Sequence, residues 1–239
     1  MTTTLSDCFS RTYAINLPER RDRRKALFLE LTSHQIRTET RRLVVFPGVR
    51  PATPEGFANR GVRGCFMSHL YILRNALEEK LESVLILEDD VMFTPMFRER
   101  IRMVERELRE QGWGFAYLGH ALKIAPSPDG RCLVPFTGHI LTTHCYALSR
   151  SVIPAVVEFL ESLLKRPEGH PDGGPMSIDG AMSFFRARHP EILTLVAAPA
   201  MASQRPSRSD LTPRWFDRIP GLRGTADWLR LLRAYRRSS

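Results

Sequence analysis

Three adjacent carboxylates, Glu88-Asp89-Asp90, follow a short apolar run, Ser83 to Leu87. In an extended chain alternate side chains leave opposite faces, which sends Glu88 and Asp90 one way and Asp89 the other. Two carboxylates converging on one side offer hard oxygen ligands to magnesium or manganese, and a bound cation relieves their mutual repulsion. A nucleoside diphosphate completes the coordination of such an ion, which in turn stabilises a departing phosphate. The plainer reading makes the acids a helix cap or a solvated turn. Against it, Thr94-Pro95 already supplies a helix start, with Thr as N-cap and Pro at the first helical position.

The elements that must position this cluster alternate. Thr12 to Leu17 reads as a strand, Glu19 to Ser33 as a helix, and Leu43 to Phe46 as a second strand ending at Pro47-Gly48. Residues 50–62 read as an irregular loop. A helix fits Cys65 to Lys80, with Phe66, Leu70, Leu73 and Leu77 along one face. Ser83 to Leu87 is apolar throughout, as a strand covered on both faces must be. A helix from Thr94-Pro95 is followed by a strand at Phe115 to Leu118, a hairpin or excursion over Leu122 to Phe136, and a strand at Thr143 to Leu148. Val152 to Leu164 reads as a helix, 167–175 as a Gly/Pro loop, Ile178 to Ala187 as a helix, and Ile192 to Ala197 as a last strand. Such alternation predicts an α/β domain with a mostly parallel sheet, whose ligands bind beyond the carboxyl ends of the strands. Glu88-Asp89-Asp90 falls in that place.

The bulk numbers narrow the field. A 239-residue chain that is 43% hydrophobic and 26% charged has the composition of a globular domain, which excludes global disorder. The net charge of +9 favours polyanionic partners: nucleic acid, anionic lipid or phosphorylated substrates. Cys8, Cys65, Cys132 and Cys145 form no CxxC pair and no Cys/His spacing that signals zinc, so reduced thiols and a cytoplasmic location are expected. The first residues lack the layout of a secretory signal, and no apolar run approaches the ~18 residues that a span needs. From Ala202 onward nine Arg stand against three Asp. Trp228, Leu231, Leu232 and Tyr235 fall on one helical face among arginines, a basic amphipathic helix suited either to packing on the core or to an anionic membrane surface at its inner face.

Three patches recur in a familiar order: Ile15-Asn-Leu-Pro-Glu-Arg-Arg-Asp-Arg-Arg24, Gly64-Cys-Phe-Met-Ser-His69 and Leu85-Ile-Leu-Glu-Asp-Asp-Val91. With Tyr146-Ala-Leu-Ser149, Ile178-Asp179 and Gln204 to Leu211, they make the chain resemble glycosyltransferase family 25, which includes bacterial lipooligosaccharide galactosyltransferases and procollagen galactosyltransferases. The resemblance implies a single GT-A-type nucleotide-sugar-binding domain over residues 1–205, with 206–239 as the basic tail. It implies a UDP-sugar donor, usually UDP-galactose, a divalent metal (Mn2+ or Mg2+), a glycan or glycolipid acceptor, and inversion at the sugar carbon. No nucleic-acid partner is expected.

On this reading Glu88 and Asp90 hold the metal, and Asp89 turns to ribose, sugar or a neighbouring side chain. Asn16 closes the opposite edge of the crevice. Arg20 and Arg23 reach phosphate or base edges, or else form a solvated helix face. His69 touches the nucleotide or the acids, or is a satisfied structural residue. Gly64 serves a turn or a close backbone approach, and Cys65 is a small buried residue. Asp179 is the general base, or a plain N-cap. Gln204 and Ser209-Asp210 close over the donor. Two other classes remain open: a basic nucleic-acid-binding protein or metal-dependent nuclease, and a non-catalytic glycan-binding protein of the same fold.

Overall fold

A computed structural model describes residues 5–38 and 41–206. The amphipathic tail and Ser209-Asp210 lie outside them. In chain order the elements are α1 (Leu5–Cys8), β1 (Arg11–Asn16), α2 (Arg21–Ser33), β2 (Leu43–Pro47), α3 (Arg60–Glu78), β3 (Ser83–Glu88), β4 (Val91–Phe93), α4 (Phe97–Glu110) and β5 (Phe115–Tyr117). They continue with β6 (Leu133–Pro135), β7 (Cys145–Ser149), α5 (Ile153–Lys165), α6 (Ile178–Arg188), β8 (Thr194–Ala197) and β9 (Ala202–Gln204).

Seven strands form one sheet in the order β2-β1-β3-β7-β5-β8-β6, and β4 pairs with β9 in a separate ribbon. Strands β2, β1, β3, β5 and β8 run one way. Strands β7 and β6 run against them, so the mostly parallel sheet carries two reversed strands.

The sheet is covered on both faces, which is why its strands read as continuous apolar runs. Leu85 and Leu87 of β3 look toward Leu27 and Leu31 of α2 and Ile101 and Val104 of α4. Val84 and Ile86 look toward Phe66, Leu70 and Leu73 of α3, with α5 and α6 beyond. All four β3 side chains are wholly buried, each contributing about 1.5–3 kcal/mol relative to exposure. Among the described residues no helix is long and apolar enough to cross a membrane.

Two local features differ from the sequence pattern. Helix α3 begins at Arg60, five residues before the expected start at Cys65, because the extended Asn59 caps it by accepting from the Val62 amide at 2.9 Å. Its first turn presses on the preceding loop: a Cβ at Gly64 would meet the Val49 carbonyl oxygen at 2.3 Å, the close approach expected of that glycine. Thr94-Pro95 does not start α4. The helix starts at Phe97, its N-cap position is Met96, and Thr94 instead directly follows β4, its amide held by the Met201 carbonyl at 2.9 Å. A three-residue strand too short to show a period took the place of the cap. The stretch from Leu122 to Phe136 is an excursion whose end, β6, pairs with β8 rather than with its own beginning.

Candidate active site

The parallel pairing of β1 with β3 sets Ile15 beside Glu88. The ends of these two strands, with the start of α3, border a cavity of about 480 Å³. Glu88, Asp89 and Asp90 all line it, together with Arg23, Cys65, His69 and Gln204.

Strand β3 stops at Glu88 and the chain turns at Asp89-Asp90, so strand alternation does not reach Asp90. The turn nonetheless gives the three acids different surroundings. Asp89 is buried and engaged at both oxygens: Asn16 Nδ2 donates to Oδ2 at 2.8 Å, and an Arg23 NH donates to Oδ1 at 3.0 Å. It ties the end of β3 to β1 and α2. Asn16 and Arg23 therefore face the acid turn, and Asp89 takes a neighbouring side-chain pair as its partner. Arg20 does not line the cavity. It makes a two-pronged contact with Asp22 at 3.1 and 2.9 Å, which pulls the Asp22 carboxyl down to about 2.

Glu88 and Asp90 sit differently. Glu88 Oε1 accepts from the Thr143 hydroxyl at 3.0 Å, and Oε2 faces the Gln204 amide at 3.4 Å. Asp90 Oδ1 is buried with no hydrogen-bond partner. Both carboxyls are pushed up from the usual range, first by burial; for Glu88 the Asp90 charge comes next, while for Asp90 the Arg23 charge opposes the shift. A pair of crowded carboxylates with an unpartnered buried oxygen has the chemistry of a hard-cation site, and it fits a magnesium or manganese ion.

His69 is wholly buried. Its Nδ1 meets the Tyr146 hydroxyl at 2.9 Å with the two rings stacked, and burial holds its imidazole down to about 3. The 3.8 Å approach of Nε2 to Glu88 is accordingly no ion pair, since the ring is neutral, and it is too long for a hydrogen bond. Cys65 is half-buried on the cavity wall rather than sealed in the core. Burial, then the charges of Glu88, Asp179 and Asp90, push its thiol up.

Asp179 lies in the first turn of α6, one residue past Ile178; Ser177 holds the N-cap position, so Asp179 is not the cap. Its Oδ1 accepts from the Gly180 amide at 2.9 Å, and its charge raises both Glu88 and Cys65, which places it near the acids though not on the cavity wall. Gln204 arrives on β9. That strand pairs antiparallel with β4, and the Arg205 amide donates to the Asp90 carbonyl at 2.6 Å, so the last strand closes over the acid turn. Thr143 and Tyr146 join the site although the sequence pattern assigns them no more than a strand and a motif position. Each lies on or just before β7, where strand register alone carried a signal, since position 146 pairs with Ile86 two residues before Glu88.

The α/β architecture with its strand-end cavity is a GT-A-type fold. A solved glycosyltransferase involved in glycosylation of the major capsid of PBCV-1 shares it with a TM-score of 0.51 at 13% identity, over 93% of this chain and 98% of that one. Residues 59–129 match the model described as "Glycosyltransferase family 25 (LPS biosynthesis protein)". Human procollagen galactosyltransferase 2 is 24% identical over 201 residues, covering 76% of this chain and 31% of the relative. Human inactive glycosyltransferase 25 family member 3 is 30% identical over 129 residues, covering 46% and 22% respectively. The chain thus spans under a third of the length of these curated relatives. The matches and the order of the motifs make the chain similar to members of glycosyltransferase family 25, with the family model matched over residues 59–129.

Proposed function

We propose that the protein is a glycosyltransferase that moves a hexose, galactose in particular, from a UDP-sugar to a hydroxyl of a cell-surface glycan such as lipooligosaccharide. The observation that carries this reading is the buried, unpartnered Asp90 oxygen beside Glu88 in the cavity at the end of β3. Glu88 and Asp90 would hold a divalent ion, which when bound stabilises the charge developing on the leaving diphosphate.

The remaining work falls to the chain's own residues. Asn16 and Arg23 fix Asp89, and so fix the turn that presents its two neighbours. Thr143 and Gln204 orient the Glu88 carboxyl. Asp179 is the general base: as the acceptor oxygen attacks the sugar carbon and the bond to the diphosphate breaks, the hydroxyl proton passes to its carboxylate. A single displacement of this kind inverts the carbon. A cytoplasmic location at the membrane's inner face, with the basic tail as contact, belongs to the same proposal.

The test is a thermal-shift panel of nucleotide sugars with and without manganese, followed by transfer or hydrolysis of the donor that binds. Stabilisation by UDP-galactose that requires manganese is the expected result. No shift with any nucleotide sugar overturns the reading, and binding without turnover favours a non-catalytic glycan-binding protein, a possibility made concrete by the relative named inactive.

A further inference from the structure

Cys65 and His69 stand one helical turn apart on α3, so both side chains leave the same face of the helix. That face lies over the end of β3. There a sulfur of Cys65, a ring nitrogen of His69 and a carboxylate oxygen of Glu88 all come within 4.8 Å of one another. Cys/His spacing along the chain carries no zinc signal, because the third donor comes from a strand nineteen positions further on.

His69 supplies the independent observation. The ring is wholly buried, Tyr146 engages its Nδ1, and its Nε2 is buried without a partner. A buried polar atom left unpaired is a cost the fold carries unless a ligand satisfies it. With Nδ1–H donating to the Tyr146 oxygen, Nε2 presents its lone pair toward Glu88, in the manner of a metal-binding histidine oriented from behind by a hydrogen bond.

We propose that Cys65 Sγ, His69 Nε2 and Glu88 form a site for a thiophilic divalent ion of the zinc class on the cavity wall. Sulfur and imidazole donors select zinc and cobalt over magnesium and manganese, the opposite preference to the oxygen pair of Glu88 and Asp90. Three protein ligands leave a fourth tetrahedral position facing the cavity. Binding displaces the Cys65 thiol proton to solvent and forms the sulfur–metal bond. Glu88 belongs to both donor sets, so an ion on the Cys65 side draws that carboxylate away from Asp90. This antagonism rests on the metal reading above; the site itself does not.

The experiment titrates the metal-free, reduced full chain with cobalt(II), then displaces it with zinc. One cobalt per chain is expected, with a sulfur-to-cobalt charge-transfer band that zinc abolishes. Cys65→Ser removes the band and weakens zinc binding by at least about tenfold, and Tyr146→Phe, which leaves all three ligands in place, keeps the band but weakens zinc by roughly tenfold. The wild-type spectrum needs no variant to fold. No band in the folded wild type, or a band that survives Cys65→Ser because another thiol carries it, overturns the site. Manganese binding measured separately on the same protein tests the oxygen pair, so failure of one reading is distinguishable from failure of the other.

Discussion

Asp89 and Asp90 are neighbours in the chain with opposite circumstances. Asp89 has an amide on one oxygen and a guanidinium on the other. Asp90 is half-buried, with one buried oxygen that meets nothing, beside a glutamate whose carboxyl is likewise pushed up. A satisfied buried carboxylate holds structure together, whereas an unsatisfied one is poised to hold a ligand. The difference divides the acid turn into an anchoring half, facing β1 and α2, and a chemical half, facing α3 and β9.

The sharpest way to break that division is to substitute each half and compare. Asp90→Asn is expected to lower turnover of UDP-sugar by about 1000-fold or more while leaving the far-ultraviolet circular dichroism intact and the melting temperature no lower than that of the wild type. Near-normal turnover in that variant would remove Asp90 from the chemistry. Asp179→Asn is expected to lower turnover by about 100-fold with donor binding unchanged, read by comparing steady-state kinetics with a nucleotide-sugar binding isotherm. Weakened binding with unchanged turnover would assign Asp179 to the donor instead.

The anchoring half predicts a stability effect. Asp89→Ala leaves Arg23 and Asn16 without their shared acceptor and is expected to cost about 3 kcal/mol in denaturant unfolding. A variant as stable as the wild type would show that the anchor is idle.

A pH series separates the halves without touching Asp89. Folded Glu88 and Asp90 keep their protons to higher pH than the same groups in the unfolded chain, so their contribution to stability is greatest at or below the usual carboxylate range. It declines as pH rises toward their raised values. Glu88→Gln cannot ionise, and in metal-free solution it should gain on the wild type by about 1–2 kcal/mol as pH rises from ~4 to neutrality. A difference that does not change with pH would show Glu88 to be unstrained. The smallest effect is that of Thr143→Val, which removes one hydrogen bond to Glu88 and should change stability by about 1 kcal/mol.

The family match leaves the division of labour within the turn untouched, since relatives that cover part of their length by this chain include one named inactive. A shared frame does not carry activity by itself, which rests on the side chains of the site. The proposed cobalt and manganese experiments therefore bear on the same question from both sides of Glu88.

Much of this frame was legible in the residues. The continuous apolar run of β3, the stripe of α3 and the alternation of helices with strands follow from burial on two faces of a sheet, a local pattern that every residue in the run repeats. The acid cluster was legible for the same reason, because a strand end in such a sheet borders a crevice. The reversed direction of β7, the three-residue β4 and its pairing with β9 were not, since short strands carry no period and direction is set by partners far along the chain.

The sequence by itself determined that three carboxylates would stand at the end of a buried strand, with Cys65 and His69 one turn apart on one face of the helix before it. Only the tertiary structure decided which acid is satisfied, that Asn16 and Arg23 claim Asp89, that Thr143 and Gln204 frame Glu88, and that Cys65, His69 and Glu88 converge. Those are contacts between residues up to 116 positions apart. Spacing along a chain fixes which face a side chain leaves, and packing between elements fixes what it meets there.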